Sequence, residues 1–141
     1  MIKISHRGNT NGPYPELENK PEYLLQAISN GFDVEVDVWV IDKIMYFGHD
    51  KPTYIVDPIV FYKIVNNAWF HCKNIEALKH FIDMHPTKRF FWHETDDFTL
   101  TSNGYIWTYP GKDITDKTII VDLDGSRNVK KAYGVCSDFL L

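Results

Sequence analysis

Acidic and β-branched residues alternate along the segment Asp33-Val34-Glu35-Val36-Asp37-Val38. Successive side chains of a β-strand point to opposite faces, so this alternation predicts a strand with valines on one face and carboxylates on the other. The valine face suits packing against helices, whereas three neighbouring carboxylates repel one another unless a cation or basic side chains neutralise them. A soluble surface strand is the simpler interpretation. We favour a strand whose acids line the open end of a barrel.

The order of the predicted elements favours an α/β fold. Strand and helix patterns alternate in the first two-thirds of the chain, which is typical of a parallel sheet. Strand-like runs in the last third leave little room for helices between them. A complete barrel of the TIM type needs about 200 residues or more, and this chain has 141. We therefore predict one domain over residues 1–141, a shortened TIM-type (β/α) barrel with several helices replaced by loops; an open sheet is the alternative.

Three segments carry signals for the start of a helix. Asn19, with Glu22 three residues later, predicts a capping box. Asp57 before Pro58 predicts a second helix with proline in its first turn. Asn74 is the predicted cap of a third helix.

Composition narrows the class of protein. The chain is 44% hydrophobic and 15% aromatic, which predicts a folded domain. Its net charge of −4 argues against a nucleic-acid partner. We find no signal peptide and no apolar run long enough to span a bilayer, so we expect no membrane insertion and a cytoplasmic location. Cys72 and Cys136 are far apart in strand-like runs and are predicted to be buried free thiols.

Two histidines follow predicted strands on either side of the acidic strand, in the strings His6-Arg7-Gly8 and Gly48-His49-Asp50. The carboxyl ends of strands carry the active sites of α/β barrels. A histidine pair can serve as general acid and general base, and the planar fork of Arg7 matches a phosphate group. The two strings therefore predict an acid–base pair beside a phosphate clamp.

Carboxylates near these histidines are candidate metal ligands. Glu35 and Asp37 offer the oxygen ligands that Mg²⁺ or Ca²⁺ prefers, with Mn²⁺ as an alternative. His71 and Lys73 share one face of a later strand, so His71 is a candidate for metal or substrate binding and Lys73 for phosphate binding. Glu94, at the end of the next strand, is a candidate third carboxylate.

The strings His6-Arg7-Gly8, Glu18-Asn19, Glu35-Val36-Asp37 and His49-Asp50, in this order, resemble the motifs of the glycerophosphodiester phosphodiesterase family. This family belongs to the phospholipase-C-like phosphodiesterase barrels. The resemblance is specific over residues 2–50 and looser at residues 71–74. It implies a metal-dependent hydrolase of glycerophosphodiester-like or sugar-linked phosphodiesters, with a small-molecule phosphodiester as its partner.

The resemblance also implies roles for single residues. Glu35 and Asp37 would hold the divalent cation, and the family's third acidic ligand falls at His71, with Glu94 as a replacement. His6 and His49 would be the acid and the base, in an order that the sequence leaves open. Arg7 and Lys73 would steady the charge on the phosphate. The chain lacks the family's insertion after His-Asp, so we expect a more open pocket.

Two other functions fit the same residues. One is a non-catalytic module that binds a phosphate or sugar-phosphate, which the imidazole at position 71 favours. The other is a lyase whose reaction stops at a cyclic phosphate. The intact histidine pair favours catalysis, because binding alone needs no acid–base pair. The oligomeric state is left open.

Overall fold

A computed structural model describes residues 1–126 and 129–141, and within them one mixed, strongly curled sheet of ten strands dominates over three short helices. The strands are β1 (Ile2–His6), β2 (Asp33–Ile41), β3 (Ile44–Phe47), β4 (Tyr54–Ile55), β5 (Ala68–Cys72), β6 (Arg89–Phe91), β7 (Phe98–Leu100), β8 (Ile106–Thr108), β9 (Thr118–Val121) and β10 (Gly134–Ser137). The helices are α1 (Pro21–Ser29), α2 (Pro58–Ile64) and α3 (Ile75–Met84).

The strand order places the ends of β1, β2 and β5 side by side. Parallel pairing runs through β6, β5, β2, β1, β10, β9 and β8. Antiparallel pairing adds β7 to β8, β3 to the outer half of β2, and β4 to β3. The register sets His6 opposite Glu35 and Asp37 opposite His71. The parallel direction therefore brings the predicted site residues to one end of the sheet.

The prediction of a shortened TIM-type α/β barrel is wrong. The protein is a mostly-sheet fold, a mixed ten-stranded sheet curled into a half-barrel. A TIM barrel needs a helix after each of eight parallel strands. Beyond α3 the described residues form no further helix, and the chain instead turns back as the antiparallel pair β7–β8. The connections between β6 and β9 are short, and strands and loops complete this part of the structure.

Helices pack against the convex face of the sheet, as the valine face of β2 predicts. Val34, Val36 and Val38 are fully buried in one cluster with residues from all three helices. The inside of the curl holds a second cluster, in which Trp69, Phe91 and Trp107 are members. The aromatic residues of the later strands therefore fill the concave side, below the predicted site.

Two of the three helix starts are confirmed. The Asp57 carboxylate accepts a hydrogen bond from Ile59 N at 2.7 Å, and Pro58 opens α2. The Asn74 side chain accepts from Ala77 N at 3.1 Å at the start of α3. Neither α1 nor any other helix in the described residues has the length and hydrophobicity needed to cross a membrane.

The predicted cap at Asn19 is wrong. Helix α1 starts at Pro21 after Lys20, which makes no side-chain cap. Asn19 has a left-handed backbone with φ of +63°, and its side chain bonds to Asp37 of β2 instead. The Asn19 side chain therefore binds Asp37, which is distant in sequence, instead of capping α1.

The two cysteines are free and buried, as predicted. Cys72 lies in β5 and Cys136 in β10. Burial raises the pKa of the Cys72 thiol to about 12, so this side chain behaves as a small apolar group of the core.

Gly48 shapes the loop that carries His49, and its replacement should be costly. Its φ is +154°, and a Cβ there would lie 2.2 Å from the carbonyl oxygen of Lys51. Gly104 also has a positive φ, of +85°, with nothing within 4 Å of its Cβ position. We expect Gly104→Ala to cost about 1 kcal/mol through its backbone conformation. Gly48→Ala should cost about 2 kcal/mol more, because a backbone carbonyl must move.

Urea unfolding of the two variants measures this difference. Equal loss of stability in both would show that the loop before His49 relaxes freely.

Candidate functional site

A cavity of about 460 Å³ opens at the carboxyl ends of the parallel strands. Seven of the eight predicted site residues line it: His6, Arg7, Glu35, His49, His71, Lys73 and Glu94. The eighth, Asp37, is fully buried and contacts Arg7, His49 and His71. The structure therefore brings together groups that the sequence spreads over almost 90 positions.

A strained turn after β1 aims the first site residues at the cavity. Arg7 has a φ of +55°, an uncommon conformation for a residue with a Cβ, and Gly8 follows at +97°. Any side chain at Gly8 would meet the Tyr23 ring, 2.5 Å from the Cβ position. The Arg7 amide donates to the Glu35 carbonyl at 3.1 Å, which ties the turn to β2. Such strain persists where surrounding contacts hold it, commonly at functional sites.

Asp37 is the buried anion of the site. Its Oδ2 lies 3.0 Å from Arg7 Nε and accepts a 2.9 Å hydrogen bond from Asn19 Nδ2. Burial alone would raise the pKa of Asp37, but the His49 and His71 rings and the Arg7 charge outweigh it and hold that pKa well below its usual value. Asp37 is therefore a carboxylate, with basic groups on three sides.

His6 is oriented by Asp138. The His6 Nδ1–H donates to Asp138 Oδ1 at 2.8 Å, and Asn9 Nδ2 donates to the same oxygen at 2.8 Å. Burial lowers the pKa of His6, but this hydrogen bond and the nearby Glu35 charge outweigh it, so the net shift is upward. Because Nδ1 is engaged, Nε2 is the nitrogen that His6 has for a proton transfer.

His49 takes the opposite tautomer. Arg7 NH2 lies 2.6 Å from His49 Nδ1. A guanidinium has only donors, so Nδ1 must accept and the ring proton of neutral His49 resides on Nε2. That Nε2 lies 3.6 Å from the exposed carboxylate of Asp50. The two histidines thus present different chemistry to the same cavity.

Three side chains form a candidate cation site. Ligand atoms of Glu35, Asp37 and His71 lie within 4.8 Å of one another. Glu35 Oε2 and Asp37 Oδ1 are buried and accept no hydrogen bond from the described residues. Buried carboxylate oxygens are normally paired, so these two call for a positively charged partner. The donor set fits a divalent cation.

The His71 ring faces both carboxylates. Its Nδ1 lies 3.7 Å from Glu35 Oε1 and 3.3 Å from Asp37 Oδ1, while Nε2 lies 2.9 Å from the His93 carbonyl oxygen. Burial opposes protonation, but the nearby carboxylates of Asp37 and Glu35 outweigh it and raise the pKa of His71 to about 9. A proton on His71 can therefore partly offset the charge of the carboxylates when no cation is bound.

Aromatic side chains wall the deep part of the cavity. The Phe91 ring stacks on His71, with centroids 5.0 Å apart, and on Trp107 at 4.5 Å. A second cavity of about 520 Å³ lies on the other side of the histidine pair. It shares His6, Arg7 and His49 with the first, and its own lining includes Glu18 and Asp50. The histidine pair therefore lines both an aromatic chamber and a polar trough.

Lys73 and Glu94 occupy different places in this cavity. Lys73 lies on the lining one residue beyond β5, on the same face as His71. Glu94 lies at the exposed rim. It does not join Glu35, Asp37 and His71 in the ligand cluster found among residues 1–126 and 129–141.

Sequence reasoning missed the residues that hold the site in place. Asp138 directly follows β10, as His6 ends β1, so its position at the end of a strand was the available signal. Asn9 lies in a loop and carried no signal. Glu18 matched a family motif, and the structure shows why it matters: its Oε2 accepts from Arg7 NH1 at 3.1 Å and its Oε1 from Asn9 Nδ2 at 2.9 Å.

No protein-family model, no curated protein and no solved structure matches this chain. Inferences about its activity therefore depend on its own residues and on the motif resemblance described above.

Asn19 should contribute strongly to stability, because it holds Asp37 with two hydrogen bonds. Asn19 Nδ2 donates to Asp37 Oδ2 at 2.9 Å, and Asn19 Oδ1 accepts from Asp37 N at 3.0 Å. We expect Asn19→Ala to lower the free energy of unfolding by about 2–4 kcal/mol, since two buried polar groups lose their partner. Asn30→Ala, at an exposed helix end, should change it by less than about 0.5 kcal/mol.

Chemical denaturation measures both changes. A neutral effect of Asn19→Ala would mean that water replaces its contacts with Asp37 without cost.

Proposed function

We propose that this protein is a metal-dependent phosphodiester hydrolase that uses His6 and His49 as its acid–base pair. The observation that carries the proposal is that these histidines are held in opposite tautomers at one cavity, beside a buried carboxylate–imidazole cluster. The motif resemblance to glycerophosphodiester phosphodiesterases supports the same reaction. Glycerophosphodiester-like or sugar-linked phosphodiesters are the proposed substrates.

A divalent cation would be held by Glu35, Asp37 and His71. Glu35 Oε2 and Asp37 Oδ1 are buried and accept no hydrogen bond from the described part of the chain. Bound there, the cation would lower the pKa of a substrate hydroxyl next to the phosphorus and offset the charge of the phosphate. The remaining chemistry belongs to the side chains of this chain.

His6 is the proposed general base. Asp138 accepts the Nδ1 proton, which leaves the Nε2 lone pair to take a proton from the attacking hydroxyl. Asp138 then stabilises the imidazolium that forms, since the carboxylate is only 2.8 Å away. The raised pKa of His6 makes its neutral ring a stronger base.

His49 is the proposed general acid. Arg7 occupies Nδ1, so the proton on Nε2 is the one that His49 can give to the leaving alcohol oxygen. The attacking hydroxyl then forms a cyclic phosphate. Water opens this ring in a second step, in which His49 takes the water proton and His6 returns its proton to the substrate oxygen. The side chain is 41% exposed, more than any other histidine bonded to the cluster, so the product alcohol has a path to solvent.

Basic groups around the cavity suit the phosphate between the two histidines. Arg7 is held by Glu18 and Asp37, and it lines both cavities together with the histidines. Lys73 adds a second cation on the chamber side. A phosphate bound at Arg7 would send one ester arm into the aromatic chamber and the other into the polar trough. Fixed cations at such a position stabilise charge that develops in the transition state.

A non-catalytic phosphate-binding module is the second candidate. It is favoured by His71, because a proton on this ring partly offsets the charge of the carboxylates without any metal. Such a module would bind phosphodiesters in the presence of EDTA and show no turnover. The predictions of a cytoplasmic location and of a small-molecule partner stay predictions beside both candidates.

Removal of either histidine should abolish hydrolysis. We expect His6→Ala and His49→Ala each to lower kcat by about 10²–10⁴-fold, because each removes one proton transfer. His80→Ala, outside both site cavities, should retain activity. The assay is hydrolysis of bis(p-nitrophenyl) phosphate and of glycerophosphocholine with Mg²⁺, Mn²⁺ or Ca²⁺ and with EDTA.

Near-normal turnover in either histidine variant would refute the acid–base pair. Phosphodiester binding without turnover under any of these metals would favour the binding module. Accumulation of a cyclic phosphate that water does not open would favour a lyase.

Neutral substitutes for the two acids should remove cation binding while the fold survives. Glu35→Gln together with Asp37→Asn keeps the side-chain shapes but deletes both charges. We expect calorimetric binding of Mg²⁺ or Mn²⁺ to disappear and circular dichroism to remain that of the parent, because backbone pairing and the buried apolar cluster hold β2 in the sheet. Binding that persists at the parental affinity would place the cation elsewhere.

A further inference from the structure

The cluster of Glu35, Asp37 and His71 mixes two carboxylates with one imidazole. We propose that this site selects a first-row transition-metal dication, with Mn²⁺ as the test ion, over Mg²⁺ and Ca²⁺. The inference rests on the proposed function only in that the cluster holds a cation. It goes further by assigning the class of metal from the geometry of His71.

A hydrogen bond at Nε2 fixes which nitrogen of neutral His71 carries the proton. His71 Nε2 lies 2.9 Å from the carbonyl oxygen of His93. A carbonyl only accepts, so Nε2 must carry a proton and donate it. Neutral His71 therefore has its lone pair on Nδ1, the nitrogen between the two carboxylates. Histidines that bind metals commonly donate their second ring nitrogen to a carbonyl in this way.

The contacts of the His71 ring fix its orientation. The register of β5 against β2 sets His71 directly opposite Asp37. The Phe91 ring stacks on the imidazole with centroids 5.0 Å apart and an angle of 13° between planes. Packing on the ring face and a hydrogen bond at Nε2 both oppose rotation. Nδ1 is thus held towards the carboxylates and is a ligand in place.

The buried oxygens of Glu35 and Asp37 support a cation site independently of His71. The side chains of Glu35 and Asp37 are 4% and 0% exposed. Glu35 Oε2 and Asp37 Oδ1 nevertheless accept no hydrogen bond from the residues that the structure describes. These oxygens lie beside the Nδ1 lone pair of neutral His71. The cluster is therefore an enclosed cation site and not an exposed acidic patch.

The ligand set decides the class of metal. Ca²⁺ takes six to eight oxygen ligands, and Mg²⁺ prefers oxygen and retains several waters. This cluster offers two carboxylates and a nitrogen, with Glu94 outside it at the rim. Imidazole binds first-row transition-metal dications in an order that rises from Mn²⁺ to Cu²⁺, so Mn²⁺ is the most stringent test ion of that series. The nitrogen should therefore favour Mn²⁺ and penalise Ca²⁺ and Mg²⁺.

Metal titration of the intact chain tests the preference directly. Isothermal calorimetry with Mn²⁺, Mg²⁺ and Ca²⁺ as chloride salts should show Mn²⁺ binding about tenfold or more tightly than either other ion. Pulsed electron paramagnetic resonance of the Mn²⁺-loaded protein should show coupling to one ¹⁴N nucleus. That coupling should disappear in His71→Gln and persist in His80→Gln, which alters an imidazole outside the site.

His71→Glu offers the converse test. A third carboxylate should remove the nitrogen coupling and bring the affinity for Mg²⁺ and Ca²⁺ to within about threefold of that for Mn²⁺. Circular dichroism reports whether this variant folds. If it does not, the ¹⁴N coupling and the affinity ratio of the parent protein still decide the question.

The outcomes distinguish a failure of the proposed metal preference from a failure of the proposed hydrolase activity. Equal affinities for Mn²⁺ and Mg²⁺, Mn²⁺ bound without ¹⁴N coupling, or no binding of any of the three ions would overturn the preference. Turnover with Mg²⁺ alongside equal affinities would leave the hydrolase standing. Tight Mn²⁺ binding with ¹⁴N coupling but no phosphodiester turnover would overturn the hydrolase and support the preference.

Discussion

The site depends on Asp37, a fully buried carboxylate held in its charged form. Asn19 satisfies its oxygen and its backbone amide, while Arg7, His49 and His71 surround it with basic groups. A buried charge is tolerated only when it is paired and hydrogen-bonded. The residues around Asp37 must therefore keep their contacts with it. Arg7, His49 and His71 each contact this one carboxylate, so it links the turn after β1, the loop after β3 and strand β5.

The curled sheet turns that arrangement into a cavity. Parallel pairing of β1, β2 and β5 brings three carboxyl ends together, and β10 adds Asp138 beside His6. Helices cover only the valine side, and aromatic side chains fill the concave side below the cavity. The later strands continue the curl, and no helix lies among the described residues that connect them. The candidate site, which the sequence predicts for an α/β barrel, therefore lies in a half-barrel.

Local patterns predicted several features because short-range physics decides them. The alternation in β2 set the buried valine face, and the caps of α2 and α3 follow from a side chain and the amides next to it. Asn19 shows where such reasoning fails, since its side chain binds Asp37, eighteen positions away, instead of capping α1. Asp138 was missed for the same reason: its partner His6 lies 132 positions away.

The sequence by itself determined which chemical groups the protein has and which of them follow strands, since residue type and two-residue periodicity are local properties. Only the tertiary structure decided the half-barrel, because strand pairing and helix coverage depend on the whole chain. It also decided the tautomers of His6, His49 and His71. Each depends on a partner distant in sequence: Asp138, Arg7 and the His93 carbonyl. A proton's position on an imidazole is set by the hydrogen bond at its other nitrogen, and only folding brings that partner near.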